Sequence, residues 1–484
     1  MKKIKLLYIT LALVIMSCED YLDINDDPFL PQTATPDLYL PQIVYSMAEG
    51  EMFDSRYVGA ITQNWAWVNA NNGFDRHASS NSSGTQKFRD HYWSIGSNLN
   101  EVAEQAEELG LADYSGIVNI IRAWSWQIVT DHHGELPFRQ AWDNTRTSFD
   151  YDPQKDIYAG IHELCNQGIE LLNNPTGQTD PKLADMEKLY NGDVSKWIKF
   201  AYAIKARNAH HISNKSSYDP AAVINFVDNS FESNEDNAEV PFDAESSATS
   251  SFMGPSRGNF NSRLRTQLIV SYLDGTYFNG VTDPRLSLML NSDTDSTQNY
   301  IGVVPTLGDT TTNIRVPRLY GKYIFTDAAP YPLITYSELQ FIKSEAAFIQ
   351  NNLPLAYDAF LKAIQAHMDF TGVSPAEATQ YLSTAIPQDA SDLELNHIMM
   401  QKYISLYSNN ETWSDLRRYQ YDNTVYLGFT LPSEFAADNN GKPAQRWLLR
   451  RFSEYDWNSD ALEKIGGLEL DYHTKPIWFS TDEE

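Results

Sequence analysis

The stretch SELQFIKSEAAFIQNNLPLAYDAFLKAIQAHMDF, Ser337 to Phe370, decides the fold. Ser337 and Glu338 begin a helix that runs to Gln350, and Pro354 opens a second that runs to about Phe370. Proline suits a first helical turn, where its missing N–H would have no partner anyway. Ala356, Phe360 and Ala363 recur with gaps of four and three, after Ala346-Ala347 one helix earlier. Small residues at such spacing let antiparallel helices approach closely, as in a tetratricopeptide pair.

The same period appears on both sides of this pair. Leu38 to Phe53 reads as a helix with Asp37 as its N-cap. Phe88 to Leu109 and Tyr114 to Asp131 form another antiparallel pair across a short polar link, and His133-Gly134-Glu135-Leu136-Pro137 breaks the second helix. Pro153 to Asn173, Val194 to Ser213, Leu393 to Tyr407 and Glu411 to Tyr419 continue the pattern. The expected class is mainly α, with helix pairs as the frame. Two regions break it. Gln63 to Gly84 is an Asn-, Gly- and Ser-rich surface loop, and a long irregular insertion occupies about 230–335, helical only around Leu264 to Asp274.

The N-terminus reads as an export signal. Lys2, Lys3 and Lys5 precede an apolar run from Leu6 to Met16 that is too short to span a bilayer, and Ser17 places a small residue before Cys18. Ile15-Met16-Ser17-Cys18 resembles a lipobox, with Cys18 the lipidated first residue of the mature chain. Several acyl chains on one cysteine give stable anchoring. Glu19 to Pro36 is then an extended tether, and the body spans 37–484. Only Cys165 remains, so no intramolecular disulfide supports the fold. Removing residues 1–17 takes away three lysines and no acids, moving the formal charge from −28 to −31. That charge excludes nucleic acid as a natural partner.

Catalytic signatures are missing from the line of sequence: no nucleophile elbow, phosphate loop or dinucleotide fingerprint occurs. His132-His133 and His210-His211 are adjacent, so a helix points each pair's rings about 100 degrees apart and no metal is expected there. His162-Glu163-Leu164-Cys165 lacks the second histidine of a zinc helix. Asp293 with Asp295, or Asp23, Asn25, Asp26 and Asp27, offers oxygen ligands to calcium, but without the glycine and terminal glutamate of an EF-hand, and no cofactor is expected.

For binding, sugar faces stack on exposed rings while amides and guanidiniums satisfy hydroxyls. Trp65, Trp67, Asn69, Asn71, Asn72, Phe74 and Arg76 have that composition on the first loop. The spacing of two puts both tryptophans on one side of an extended backbone. The alternative is that both indoles pack into the core. A second group is Tyr277, Phe278, Tyr300, Arg318, Tyr320 and Tyr323.

Several segments together resemble the SusD/RagB family of outer-membrane nutrient-binding lipoproteins. They are Cys18 to Asn25 with Asp27-Pro28, Thr130-Asp131 with Gly134 to Phe138, Tyr190-Asn191-Gly192-Asp193 with Lys196-Trp197, and Lys205-Ala206-Arg207. Asp283-Pro284-Arg285, Thr335 to Glu338 with Phe341 and Glu345-Ala346, and Gln401-Lys402-Tyr403 with Trp413, Leu416, Arg417 and Arg418 complete the set. Arg450 to Tyr455 follows the family's ending only loosely. The resemblance implies a superhelix of tetratricopeptide-like helix pairs beneath a loop-rich ligand-binding face. It also implies an outer-membrane location, lipid-anchored and facing outward, and a lid-like role over a SusC-like TonB-dependent barrel. Oligosaccharides are the usual cargo of that family and peptides the less common one. The recognition segments themselves are expected to serve the fold. A lipid-anchored glycoside hydrolase, with two carboxylates facing each other across a cleft, is the rival reading.

Overall fold

The computed structural model describes residues 34–173, 179–293, 299–310 and 316–484. Its frame is a succession of antiparallel helices. α1 (Pro36–Ile61) leads to an interrupted helix made of α2 (Gln86–Arg89), a π segment (Asp90–Ser97) and α3 (Asn98–Leu109). α4 (Ala112–His133), α5 (Gln154–Asn173), α6 (Val194–His211) and α7 (Pro220–Asp228) follow, each packed on the one before. α8 (Gln267–Leu273) lies in the irregular region. The frame resumes with α9 (Tyr336–Ile349), α10 (Leu353–Thr371), α11 (Pro375–Thr384), α12 (Leu395–Ser405) and α13 (Glu411–Arg418).

The α9–α10 pair packs as its alanines predict. Ala346, Ala347, Ala356 and Ala363 are buried. The helices approach closely enough for Ser344 Oγ to donate to the Ala356 carbonyl at 2.7 Å and Ser337 Oγ to the Ala363 carbonyl at 2.8 Å. α7 packs directly on α9 although more than a hundred residues separate them. The chain leaves the frame after α7 through β2 (Ala238–Val240) and returns through β4 (Tyr331–Ile334), and these strands pair antiparallel. The second ladder, β1 (Trp65–Trp67) with β3 (Arg263–Arg265), ties the excursion back to the end of α1.

Four local expectations need correction. Asp37 is not the N-cap: Thr35 holds that position, Pro36 is the first helical residue, and Asp37 is buried 3.6 Å from Lys182. α1 also runs eight residues beyond Phe53, because Gly59 and Ala60 let its last turns lie against the core. The helical reading of Leu264 to Asp274 fails in its first residues, where β3 forms before α8. Gln63 to Gly84 is not wholly surface, since β1 starts there and Trp65 has no exposed area. The rings of Phe260, Phe325 and Tyr407 surround Trp65.

Charged residues run through the helical core. Arg207 on α6 grips Glu338 on α9 with two 2.7 Å bonds and donates to the Leu333 carbonyl on β4 at 2.8 Å. His211, one turn on, bridges Asp131 on α4 (3.2 Å) and Glu411 on α13 (2.6 Å). Arg418 reaches Glu345 (2.7 Å) and Asp415 (2.5 Å), and Lys402 on α12 lies 2.9 Å from Asp415. All of these side chains are buried.

Two outcomes are expected. A Cβ at Gly59 would stand 2.2 Å from the Trp65 indole, so Gly59→Ala should cost about 1–3 kcal/mol by overpacking, read as a lowered denaturant midpoint with unchanged slope. The second concerns pH. Burial alone would lower the His211 pKa, but Glu411 and Asp131 outweigh it and hold it at about 9. A raised pKa stabilises fully below the unfolded value near 6.5 and is lost as pH rises through 9. The stability gap between wild type and His211→Gln should therefore be about 3–5 kcal/mol at pH 6 and shrink by pH 10. A gap independent of pH would show that the imidazolium contributes nothing.

Candidate functional site

The excursion and the loop after β1 meet at the β1–β3 ladder, whose register pairs Trp67 with Arg263 and Ala66 with Leu264. Leu264 also bridges to Arg318, and Thr266 to Val303. The two aromatic groups singled out in the sequence are thus joined through a strand the sequence reading did not resolve.

Trp67 is half-buried and held on every side. Its N–H donates to both oxygens of Asp75 at 3.2 Å. Burial raises the Asp75 pKa to about 7 against the hydrogen bonds that oppose it. The Arg263 guanidinium lies 3.7 Å from the center of the Trp67 ring. A stack also leads away from Trp67: Phe74 lies 5.7 Å from it at 24°, and Trp447 lies 6.0 Å from Phe74 at 18°. Trp447 is the buried end, its Nε1 donating to the Ser83 carbonyl at 2.7 Å.

The polar residues divide by role. Asn69 and Asn71 are exposed at the tip of the loop. The Asn71 N–H donates to the Thr306 carbonyl at 2.7 Å, and Asp309 N–H to the Val68 carbonyl at 3.0 Å, so loops 68–72 and 304–309 form one rim. Gly308 makes that contact possible: with φ of +66°, its position would put a Cβ 2.5 Å from the Ala70 nitrogen. Asn72 shapes the turn instead, accepting from the Phe74 N–H at 2.9 Å. Arg76 is a clamp that donates to the Glu434 and Phe435 carbonyls at 3.0 and 2.8 Å.

Of the second group, Arg318 is exposed beside the ladder and donates to the Asn261 carbonyl. The half-buried Tyr320 accepts from the Phe260 N–H at 2.7 Å. The other members lie elsewhere. Tyr300 borders a separate groove with Glu377, Gln380 and Tyr381. Phe278 is core, Tyr277 packs edge-on against Tyr272, and Tyr323 packs against His367 and Tyr407. Trp65 is likewise core and offers no face to a ligand, so one tryptophan of the pair takes each of the alternatives. Sequence reading missed Arg263, Tyr57 and Trp447. The Arg-Leu-Arg alternation at 263–265 is the one signal that marks a strand there.

The adjacent histidines reach different partners. His132 meets the Gly84 carbonyl at 3.0 Å, His133 the Trp447 carbonyl at 3.1 Å, and His210 lies 2.9 Å from Glu345. Asp131, His211 and Glu411 do bring donor atoms within 4.8 Å of one another, a spacing a metal would accept. Here both ring nitrogens of His211 face carboxylates and Arg207 stands 3.8 Å from Glu411, so protons and a guanidinium already neutralise the acids. Glu411 is correspondingly low, about 2, since His211 and Arg207 outweigh its burial. Cys165 is buried and its thiol is pushed up to about 12 by desolvation, so it is not a nucleophile. Cys18, the acids at 23–27 and Asp295 lie outside the described residues. No described helix is long and apolar enough to cross a membrane.

The recognition segments have structural partners throughout. Glu187 accepts from the Tyr190 and Gly192 N–H groups, both at 3.0 Å, and from Trp197 Nε1 at 3.1 Å, which folds the 190–197 motif around one carboxylate. Arg285 is fully buried, holding Asp283 at 2.9 and 2.6 Å and Gln401 at 2.5 Å.

No protein of curated function matches the chain. Among solved structures, a SusD/RagB family protein from Bacteroides thetaiotaomicron is 22% identical with a TM-score of 0.71, covering 93% of this chain and all of its own. A SusD homolog from Parabacteroides distasonis is 17% identical with a TM-score of 0.74, covering 93% of this chain and 99% of its own. A chitin-binding protein is 20% identical with a TM-score of 0.71, covering 93% of this chain and all of its own. These likenesses show the fold. The SusD-like family model, described as starch-binding and associating with the outer membrane, matches residues 28–448. With that match spanning most of the sequence and the helical frame shared end to end, the chain belongs to the SusD-like family of outer-membrane-associated binding proteins, which are not enzymes.

Proposed function

We propose that the protein is a lipid-anchored receptor on the outer face of the outer membrane that captures oligosaccharides through the β1–β3 face and passes them to a SusC-like TonB-dependent barrel. The observation that carries the reading is the Trp67–Phe74–Trp447 stack, half-buried at Trp67 and Phe74 and rimmed by exposed Asn69, Asn71 and Arg318, in a chain of this family. With its ring held by the Arg263 guanidinium and by Phe74, Trp67 presents a rigid edge to a sugar, and contact with that edge costs little side-chain entropy. Lipidation at Cys18, which the sequence supports, would hold that face within tether length of the membrane.

The two tryptophans separate binding from folding. Trp67→Ala should weaken glycan binding at least tenfold, measured by calorimetry on the ligand found by array screening, and should destabilise the fold less than Trp65→Ala does, since Trp67 is only half-buried. Trp65→Ala should instead destabilise the fold by about 3–5 kcal/mol. Full affinity in Trp67→Ala would remove this face from the site. The anchor is tested separately. Labelled palmitate should enter the wild-type protein in cells and not the Cys18→Ser variant, and the barrel should co-purify with the wild type from detergent extracts.

A further inference from the structure

The ladder face continues along α1 as an alternation of rings and guanidiniums. Phe53, Arg56 and Tyr57 share one side of that helix, since residues three and four apart are neighbours. The Arg56 guanidinium lies 3.8 Å from the center of Phe53, 5.3 Å from Tyr57 and 5.0 Å from Phe252. Arg257 stands over the same Phe252 at 5.6 Å. Arg263 lies 5.8 Å from Tyr57 and 3.7 Å from Trp67. Arg318 follows on the next strand position, bridged to Leu264.

None of Arg56, Arg257, Arg263 and Arg318 has a carboxylate within 4.0 Å among the described residues, although the chain carries 64 acids against 36 bases. Elsewhere the buried arginines Arg207, Arg285 and Arg418 each hold at least one carboxylate, whereas the buried Arg265 and Arg417 are, like this group, held by carbonyl oxygens. On this face the guanidiniums spend their donors on carbonyls and hydroxyls instead. Arg56 donates to Phe53, Arg263 to Arg56, Asn259 and the Ser262 hydroxyl, and Arg257 to Ser247. The neighbouring acids are engaged elsewhere: Asp75 accepts from the Trp67 backbone N–H, and Asp327 from the Ser256 N–H and hydroxyl. Arg263 is further burdened, since burial and then the adjacent Arg56 lower its pKa to about 10. Like charges held side by side in a protein of net charge −28 destabilise the empty state and leave a local positive field that an anion would relieve.

Resting on the reading of this face as the glycan site, we infer that its cargo is an anionic glycan, with sugar rings against the accessible edges of Trp67, Tyr57 and Phe53, acid groups against Arg56, Arg257 and Arg318, and the buried Arg263 adding its charge from behind. The acid group is a carboxylate or a sulfate, both of which a guanidinium grips through two parallel N–H donors. Neutral glucans and chitin offer nothing to discharge the four cations.

The test uses the mature chain in low salt against four probes: polygalacturonate, chondroitin sulfate, amylose and chitohexaose. At least one acidic probe should bind ten times or more tighter than both neutral ones, with the preference collapsing in about 0.5 M NaCl, where screening lengths fall to a few ångströms. The polygalacturonate and chondroitin sulfate arms separate carboxylate from sulfate. Arg318→Gln and Arg257→Gln, both at accessible positions, should each lose threefold or more on the acidic probe with melting temperature unchanged. Arg146→Gln, a remote surface charge paired with Asp143, should lose nothing. Tighter or equal binding of a neutral probe, or equal loss in Arg146→Gln, overturns the anionic cargo while leaving a glycan receptor standing. Absence of binding to all four probes and to a broad glycan array overturns both.

Discussion

Five carboxylates and four cations sealed inside a helical core are the constraint on which the rest of this structure depends. Asp131, Glu338, Glu345, Glu411 and Asp415 meet Arg207, His211, Lys402 and Arg418, drawn from α4, α6, α9, α12 and α13. Desolvating such groups costs several kcal/mol per ion, and their mutual attraction offsets that only when the geometry is complete. Each helix is therefore held to its neighbours in one register, because a slip of one turn would strand a buried charge. Alanine contacts such as those between α9 and α10 tolerate sliding far better. Arg207 also reaches the Leu333 carbonyl, so the same array fixes β4, the strand through which the excursion re-enters the frame. Placement of the proposed binding face is in that sense a consequence of core electrostatics.

The sequence revealed the frame more readily than the face, for reasons that lie in range. Helices such as α4, α5 and α9 carry their signals within three or four residues, and their expected limits differ from the observed ones by no more than two positions. α7 and α11 went unread although both announce themselves. Asp219 caps Pro220, and Ser374 with Glu377 forms a capping box before an apolar turn. Their shortness hid them in polar surroundings. α13 is expected at nearly its observed limits, but Glu411, Asp415, Arg417 and Arg418 give no local sign that it is buried; that depends on distant partners such as His211 and Glu345.

Trp65 and Trp67 make the same point at the site. The extended backbone inferred from their spacing is real, as is the nearness of aromatic and amide residues. Which indole stays accessible depends on β3, two hundred residues on, and on Gly59, whose missing side chain makes room for Trp65. Neither determinant can be read locally. The recognition motifs behaved differently because they are the buried polar partners themselves. Asp283 with Arg285, Glu338 with Arg207 and Glu345 with Arg418 couple distant segments, so their spacing along the chain marks the fold rather than the ligand.

That division explains how one frame can carry different cargo. The ion-paired spine uses arginines that have spent their charge on carboxylates within the fold, and nothing on the surface can alter it without stranding an ion. The face uses arginines held by carbonyl oxygens and ring faces, contacts that orient a guanidinium without neutralising it. Trp67 is fixed by strand pairing, by Asp75 and by Arg263 before any ligand arrives, so its ordering cost is met during folding rather than during binding. If this face is the binding site as proposed, its selectivity would come from which cations remain unpaired on the rim, and the rings beside them would supply affinity that does not depend on the ligand's charge.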